Sequence, residues 1–388
     1  MKYDPVINQI NNKANIVETT DSQKKTQALF LKAISNRDVI LSNRETCLCN
    51  SKNNKILASH DRFNLPFKAC LCEQCGLIFT TPYISSESIE HYYKTFYNGI
   101  HFNVKPKEHK VIYKEGQGKK IFDILSQKLF KKEINILDLG CGQGSVIKEF
   151  MASAENEGYS IRGLGLEFNE EYVIHSTTSH FDLEIRQGGI DVITKEDGFF
   201  DVVILSHVFE HFTVPHDFLL ELKKIIHNKS LIYIEVPGVC SLKQSSIYNS
   251  NFIQYHTAAH IFNYNLVSLT NIMNINGFKL IWGNEIVESI FIIGEQSVSV
   301  HNNATIIQSY LDDLILNEDF YQSLNTKKLK RNLQLYELEH KVAIISKELH
   351  YLIIFFHFLR TTSFNLLKKL KLDIIITYIH KKTSKQVE

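Results

Sequence analysis

Residues 136–146 read ILDLGCGQGSV, and this stretch decides the fold. Ile136 to Leu139 form an apolar run broken only by Asp138, as a buried strand does. Gly140, Gly142 and Gly144 follow at alternate positions, and "SVIKEFMASA" then has helical period. Glycines at a strand-to-helix junction let the backbone approach a ligand closely, and the helix amino terminus supplies free N–H groups. A dinucleotide fingerprint would need glycine at 140, 142 and 145, but residue 145 is Ser.

Outward from this turn, short apolar runs alternate with helical segments. "IRGLGLEF", "LEIRQGG", "FDVVILSH" and "SLIYIEVPG" read as strands, with "EEYVIHSTTS" and "DFLLELKKII" as helices between them. "YNLVSLTNIMNINGFKLIWGNE" reads as helix, glycine turn and strand. Such alternation predicts an α/β fold with a parallel sheet and right-handed crossovers. Upstream, "SIEHYYKTFYNGIHF" and "GKKIFDILSQKLFKK" have helical spacing, and beyond about residue 300 the chain reads as helical throughout.

The spacing G-x-G-x-G after Asp138 resembles motif I of class I S-adenosylmethionine-dependent methyltransferases. The resemblance implies a Rossmann-like sheet that holds the methionine part of the cofactor at Asp138, Gly140, Gly142 and Gly144. It also implies that Glu167, closing the second strand, accepts the ribose hydroxyls. Adenine contacts fall at Gly189 and Ile190, where only a backbone contact is carried over for Gly189. Ser206 and His207 end the fourth strand in a segment that looks like motif IV. Cys141 reads as a small apolar filler.

Seven cysteines in 388 residues are too few for a disulfide scaffold, yet five of them lie between Cys47 and Cys75. "TCLCNSKN" and "CEQCGLIF" supply Cys47, Cys49, Cys72 and Cys75, two knuckles suited to a closed tetrahedral zinc site. Gly76 permits the tight turn of the second knuckle, and Cys70 reads as packing. Buried free thiols are the alternative. The linker between the knuckles has no basic run, so a zinc ribbon reading nucleic acid is disfavoured.

The order of knuckles, "GLIFTTP", "YYKTFY" and motif I resembles bacterial methyltransferases of sugar and surface-polysaccharide pathways, with Asp61-Arg62 as their Asp-Arg pair. That resemblance covers about residues 45–285. It implies a nucleotide-sugar or glycan acceptor; the lack of an export signal sets the expectation of a reducing, cytoplasmic compartment. The expected organisation is a polar segment 1–44, a zinc module with linker helix 45–105, a methyltransferase domain 106–300 and a helical region 301–388.

The segment after the fifth strand, "IYNSNFIQYHTAAHIFNYNLVSL", is rich in polar and aromatic groups and is read as entering a helix. It lies where open α/β sheets bind ligands. His260 and, one helical turn earlier, His256 are the candidate catalytic residues, with Tyr255 beside them. The sugar C-methyltransferases carry a Glu-His pair here. His260 matches the histidine but Ala259 stands in place of the glutamate, which favours O- or N-methylation. His260 is expected to assist loss of the acceptor proton. Glu210 and His211 read as fixing the loop after the fourth strand. Other functions held open are methylation of another small molecule and a binding or scaffold role without catalysis.

Lys and Arg total 43 against 42 Asp and Glu, a balance that argues against a polyanion binder. No apolar run reaches the ~18 residues of a membrane span, and the polar, mixed-charge "MKYDPVINQINNKANIVETTDSQ" does not read as a signal peptide. The tail "KVAIISKELHYLIIFFHFLRTTSFNLLKKLKLDIIITYIHKK" is read either as helices packing on the core or a second subunit, or as an interfacial pair touching the inner face of a membrane.

Overall fold

The computed structural model describes residues 17–102, 115–174, 180–245, 248, 250–297 and 299–323. Contacts divide the chain into a unit of residues 1–318 and a second of 319–388, and the architecture below belongs to the first. Most of the helical tail therefore lies outside the described residues, as do His175 to Ser179 of the second predicted crossover helix.

The described residues begin with α1 (Asp21–Asn36), β1 (Leu41–Ser42), β2 (Asn54–Ala58), β3 (Lys68–Cys72), β4 (Ile78–Thr81), β5 (Tyr83–Ile84), α2 (Ser86–Tyr92) and α3 (Asn98–His101). There follow α4 (Gln117–Leu125), β6 (Glu133–Leu139), α5 (Ser145–Asn156), β7 (Ser160–Glu167), α6 (Glu170–Ile174), β8 (Asp182–Gln187), β9 (Phe200–Ser206), α7 (Pro215–Leu222) and β10 (Ile226–Glu235). The last elements among the described residues are α8 (Phe252–Tyr255), β11 (Phe262–Asn263), α9 (Leu266–Ile275), β12 (Phe278–Gly283), β13 (Glu288–Ile293) and α10 (Ala304–Ser323).

Seven strands form one sheet in the order β12-β13-β10-β9-β6-β7-β8. All run parallel except β13, which is antiparallel to both its neighbours. The order reverses between β6 and β9, so the carboxyl ends of these strands flank the crevice where open α/β sheets take ligands. Central β9 is apolar on both faces. Val202 and Ile204 pack with α4 and α5, while Val203 and Leu205 pack on the opposite face. The edge strand β8 carries Asp182, Glu184 and Arg186, whose charges blunt its open edge.

The helix read as "DFLLELKKII" stops at Leu222, and β10 starts at Ile226, earlier than the sequence pattern indicates. Pairing with Phe200 claims Ile225 and Ile226 for the sheet, a tertiary override of local helical spacing.

A second sheet, ordered β11-β4-β3-β2, is antiparallel. Its first strand, Phe262–Asn263, comes from the segment after β10 and pairs with Ile78 and Phe79. Leu77, Phe79 and the four knuckle cysteines pack in one cluster with Leu205, Phe209 and Tyr264 of the large domain. The opposite side of the small sheet, through Leu57, Leu71 and Ile78, packs against Ile307, Leu311 and Leu314 of α10.

Candidate active site

The glycine turn is built as its sequence demands. Gly140, Gly142 and Gly144 have φ of +68°, +56° and +79°, a region that L side chains rarely adopt. A Cβ on Gly140 would stand 2.5 Å from Val208, whereas one on Gly142 would meet nothing within 4 Å. The glycine turn thus packs against the loop after β9, and the space over Gly142 is open. The Gly142 N–H donates to Glu167 Oε2 at 2.9 Å and the Asn169 N–H donates to Oε1 at 2.9 Å. Glu167 is held at the tip of β7 facing the turn. Burial raises its pKa, and the donors at Asn169 and Gly142 oppose that.

Asp138 is 2% exposed, and its Oδ2 has no hydrogen-bond partner. Burial, reinforced by the Glu167 charge, pushes its carboxyl up to about 8. Gly189 and Ile190 sit after β8, where a Cβ on Gly189 would meet the Phe168 ring at 2.9 Å. Phe168 itself is 61% exposed beside Glu167. Sequence reading passed over this residue, although a bare aromatic directly after the ribose-side acid was the available signal.

Ser206 ends β9, and His207 follows with φ +57°. The His207 ring lies between two carboxylates, with Nδ1 3.8 Å from Glu210 and Nε2 3.5 Å from Glu235. Burial alone would lower its pKa, but Glu210 and Glu235 together outweigh this and lift it to about 9. Glu235 is itself gripped by Gln117 Nε2 and the Tyr233 hydroxyl.

The acceptor-side candidates diverge. Helix α8 ends at Tyr255, so His256 and His260 do not share a helix, contrary to the pattern reading. The small sheet's connecting loop captures this segment. Asp61 accepts from the Ala258 N–H at 3.1 Å through Oδ2, while its Oδ1 takes the Phe63 and Leu65 N–H groups. The Arg62 N–H donates to the His256 carbonyl at 2.9 Å. The His256 ring is fully buried, with Nε2 3.0 Å from the Phe67 carbonyl, and burial lowers its pKa to about 4. It ties the two modules together.

His260 instead stands next to the loop after β9, its ring 5.1 Å from His211 and 6.4 Å from Tyr255. Burial and then the neighbouring His211 depress its pKa well below that of free histidine, so it is neutral at pH 7. The Ile261 N–H donates to the Glu210 carbonyl at 2.9 Å, and the Thr80 hydroxyl to the His260 carbonyl at 2.6 Å. The His211 Nδ1 lies 2.8 Å from both the Ala259 carbonyl and the Tyr93 hydroxyl. Tyr93 opens a π-helical stretch, Tyr93–Tyr97, between α2 and α3; such a wide turn shifts side chains off the regular helical phase. The Glu210 carbonyl and the His211 ring thus tie the loop after β9 to residues 259–261, beside His260.

The four cysteine sulfurs of Cys47, Cys49, Cys72 and Cys75 lie within 4.8 Å of one another. Two Sγ pairs, Cys47–Cys75 and Cys49–Cys72, stand at 3.6 Å. A tetrahedron with Zn–S of ~2.3 Å has S···S edges of about 3.8 Å, close to these two separations, so the donor set suits zinc. Gly76 has φ +75°, and its N–H donates to the Cys72 carbonyl at 3.0 Å. Cys70 lies outside this set, and burial pushes its thiol up to about 11.

Residues 113–281, under half of the chain, match the model of a family described as a methyltransferase domain. No curated protein matches the chain significantly. Among solved structures, the plantazolicin methyltransferase BpumL, in complex with a monoazolic desmethylPZN analogue and SAH, is 14% identical with a TM-score of 0.37. It covers 47% of this chain and 86% of its own. The complex between the Haloferax volcanii Trm112 methyltransferase activator and a putative methyltransferase matches at 20% identity and a TM-score of 0.35. Here 44% of this chain and 70% of the other are covered. An S-adenosylmethionine-dependent methyltransferase from Clostridium acetobutylicum matches at 7% identity and a TM-score of 0.36, over 47% of this chain and 93% of its own. The strand order and the glycine turn give a Rossmann-like methyltransferase fold, and residues 113–281 of it match the methyltransferase-domain model.

Proposed function

We propose that the protein transfers a methyl group from S-adenosylmethionine to a hydroxyl or amino group of a nucleotide sugar or growing surface glycan, and that Cys47, Cys49, Cys72 and Cys75 hold one structural zinc. The observation that carries the reading is the chain of contacts from the cofactor turn to His260. Gly140 packs on Val208, Val208 leads into Glu210 and His211, and these meet Ile261 and His260. Glycine turn and neutral histidine thereby border the same loop at the carboxyl ends of β9 and β10.

The residues present suit the cofactor: open space over Gly142, a carboxylate at Glu167 and an unpartnered buried Asp138 oxygen. When bound, S-adenosylmethionine supplies an electrophilic methyl group. Glu167 would hold the ribose, and Asp138 would offer a carboxylate toward the cationic end. Gly189 and Ile190 would border the adenine, with Ser206 and His207 closing the crevice. His260 promotes loss of the acceptor proton. The sugar acceptor is supported by the sequence resemblance, with its Asp61-Arg62 pair found gripping the segment before His260. Ala259 supplies no carboxylate, which favours oxygen or nitrogen over carbon as the acceptor atom.

Calorimetry and turnover test the reading together. Glu167→Ala should weaken cofactor binding by ~1.5–3 kcal/mol, the loss of charge-assisted hydrogen bonds. His260→Ala should bind the cofactor normally but turn over ~10²–10⁴-fold more slowly on a nucleotide-sugar acceptor. A wild-type protein that binds no S-adenosylmethionine overturns the function. Near wild-type turnover by His260→Ala overturns the role of that residue.

A further inference from the structure

We propose that Glu210, His211 and His260 bind a divalent first-row transition ion at the acceptor side, separate from the four-thiolate cluster. The inference rests on the acceptor-side reading above and specifies how His260 acts there.

One ligand atom from each of these three residues lies within 4.8 Å of the other two. The carboxylate of Glu210 is the telling group. Its residue is 1% exposed, and neither side-chain oxygen has a hydrogen-bond partner. The nearest ring nitrogens, His211 Nε2 at 3.7 Å and His207 Nδ1 at 3.8 Å, stand beyond hydrogen-bond length, so the carboxylate faces His207 only across an ion-pair distance. Buried carboxylates are ordinarily hydrogen-bonded or coordinate a cation.

The tautomer of His211 points the same way. A carbonyl only accepts, so the 2.8 Å contact with Ala259 places the proton on Nδ1. Nε2 then faces Glu210 Oε1. A separation of 3.7 Å lets both atoms ligate one ion. The Nδ1–H bond to a backbone carbonyl is also how metal-ligating histidines are oriented. From the opposite side, His260 adds a buried Nδ1 without a hydrogen-bond partner.

Two imidazoles and one carboxylate suit manganese, iron, cobalt or zinc better than magnesium or calcium, which prefer all-oxygen sets. Three protein ligands leave coordination positions open. An acceptor hydroxyl occupying one would lose its proton more readily, so His260 would act through the ion rather than as a lone base.

The test uses full-length protein with its thiolate cluster filled by zinc, titrated with Mn²⁺ and followed by the electron paramagnetic resonance of the free ion. One Mn²⁺ per chain is expected. Glu210→Gln, which preserves side-chain volume, should weaken it by more than ~100-fold, beyond the 10–100-fold typical of losing an outer-shell partner. His260→Ala should do the same and carries the test if Glu210→Gln misfolds. Circular dichroism verifies folding, and exposed His180→Ala should leave Mn²⁺ binding unchanged. Absence of Mn²⁺ binding by the wild type, or its survival in a folded Glu210→Gln/His260→Ala double variant, overturns the proposal. Cofactor calorimetry without Mn²⁺ reads the methyltransferase function alone, so the two failures are distinguishable.

Discussion

Asp138 illustrates what a single residue contributes. Its carboxyl, pushed up to about 8 by burial and then by Glu167, is protonated at pH 7 in the cofactor-free protein. An unfolded Asp titrates near ~3.9, so folding takes up a proton between these values. The resulting penalty on stability is absent below about pH 4, grows as pH rises toward 8, and is complete above it. A cationic ligand beside Asp138 reverses the preference and expels the proton. Calorimetry of S-adenosylmethionine binding at pH 7 should therefore give heats that differ between phosphate and Tris, corresponding to proton release. Asp138→Asn should abolish the difference, and buffer-independent heats for the wild type would refute the coupling. Sequence alone showed an acid before the glycines, but its charge state depends on β6 being enclosed between β7 and β9.

Among the elements, strands and the glycine turn were the most legible, because alternation and glycine spacing are written locally. The helix expected to carry His256 and His260 was not, because long-range partners set its end. Asp61, 197 positions earlier, takes the Ala258 N–H, and Phe67, 189 positions earlier, takes the His256 ring. Glu210 likewise gave only a loop signal, and its carboxylate without a hydrogen bond emerges only where the loop after β9 meets the segment leading into β11. The knuckles were legible as a spacing, and the choice between Cys70 and Cys72 is testable. One zinc per chain is expected by metal analysis, retained in Cys70→Ser and lost in Cys72→Ser. The opposite pattern would show that Cys70 is the ligand.

For the whole molecule, the small sheet and the acceptor segment are one mechanical body. Because β11 is its outer strand, loosening the knuckles should loosen residues 256–264 while leaving β6 and β7 intact. Structural zinc contributes folding energy directly. Hydrogen exchange after strong chelation should therefore accelerate in β3, β4 and residues 256–264, with little change across β6 and β7. Uniform protection after chelation would sever the proposed link between metal and acceptor side. Asp61→Asn, which loses a charge-assisted bond to Ala258, should loosen the same segment without releasing zinc. Sequence could not disclose this coupling, since two residues of β11 carry no pattern of their own.

The borrowed strand also has a consequence for biosynthesis. Strands β2, β3 and β4 leave the ribosome early, yet the neighbour that closes the edge of β4 is Phe262–Asn263, made only after the first five strands of the large sheet. Until then the emerging chain presents a row of unpaired backbone groups from Ile78 and Phe79, a template for adhesion to other nascent chains. Transplanting the amino-terminal module onto another catalytic domain would reproduce that open edge permanently, unless the recipient brought its own equivalent of β11.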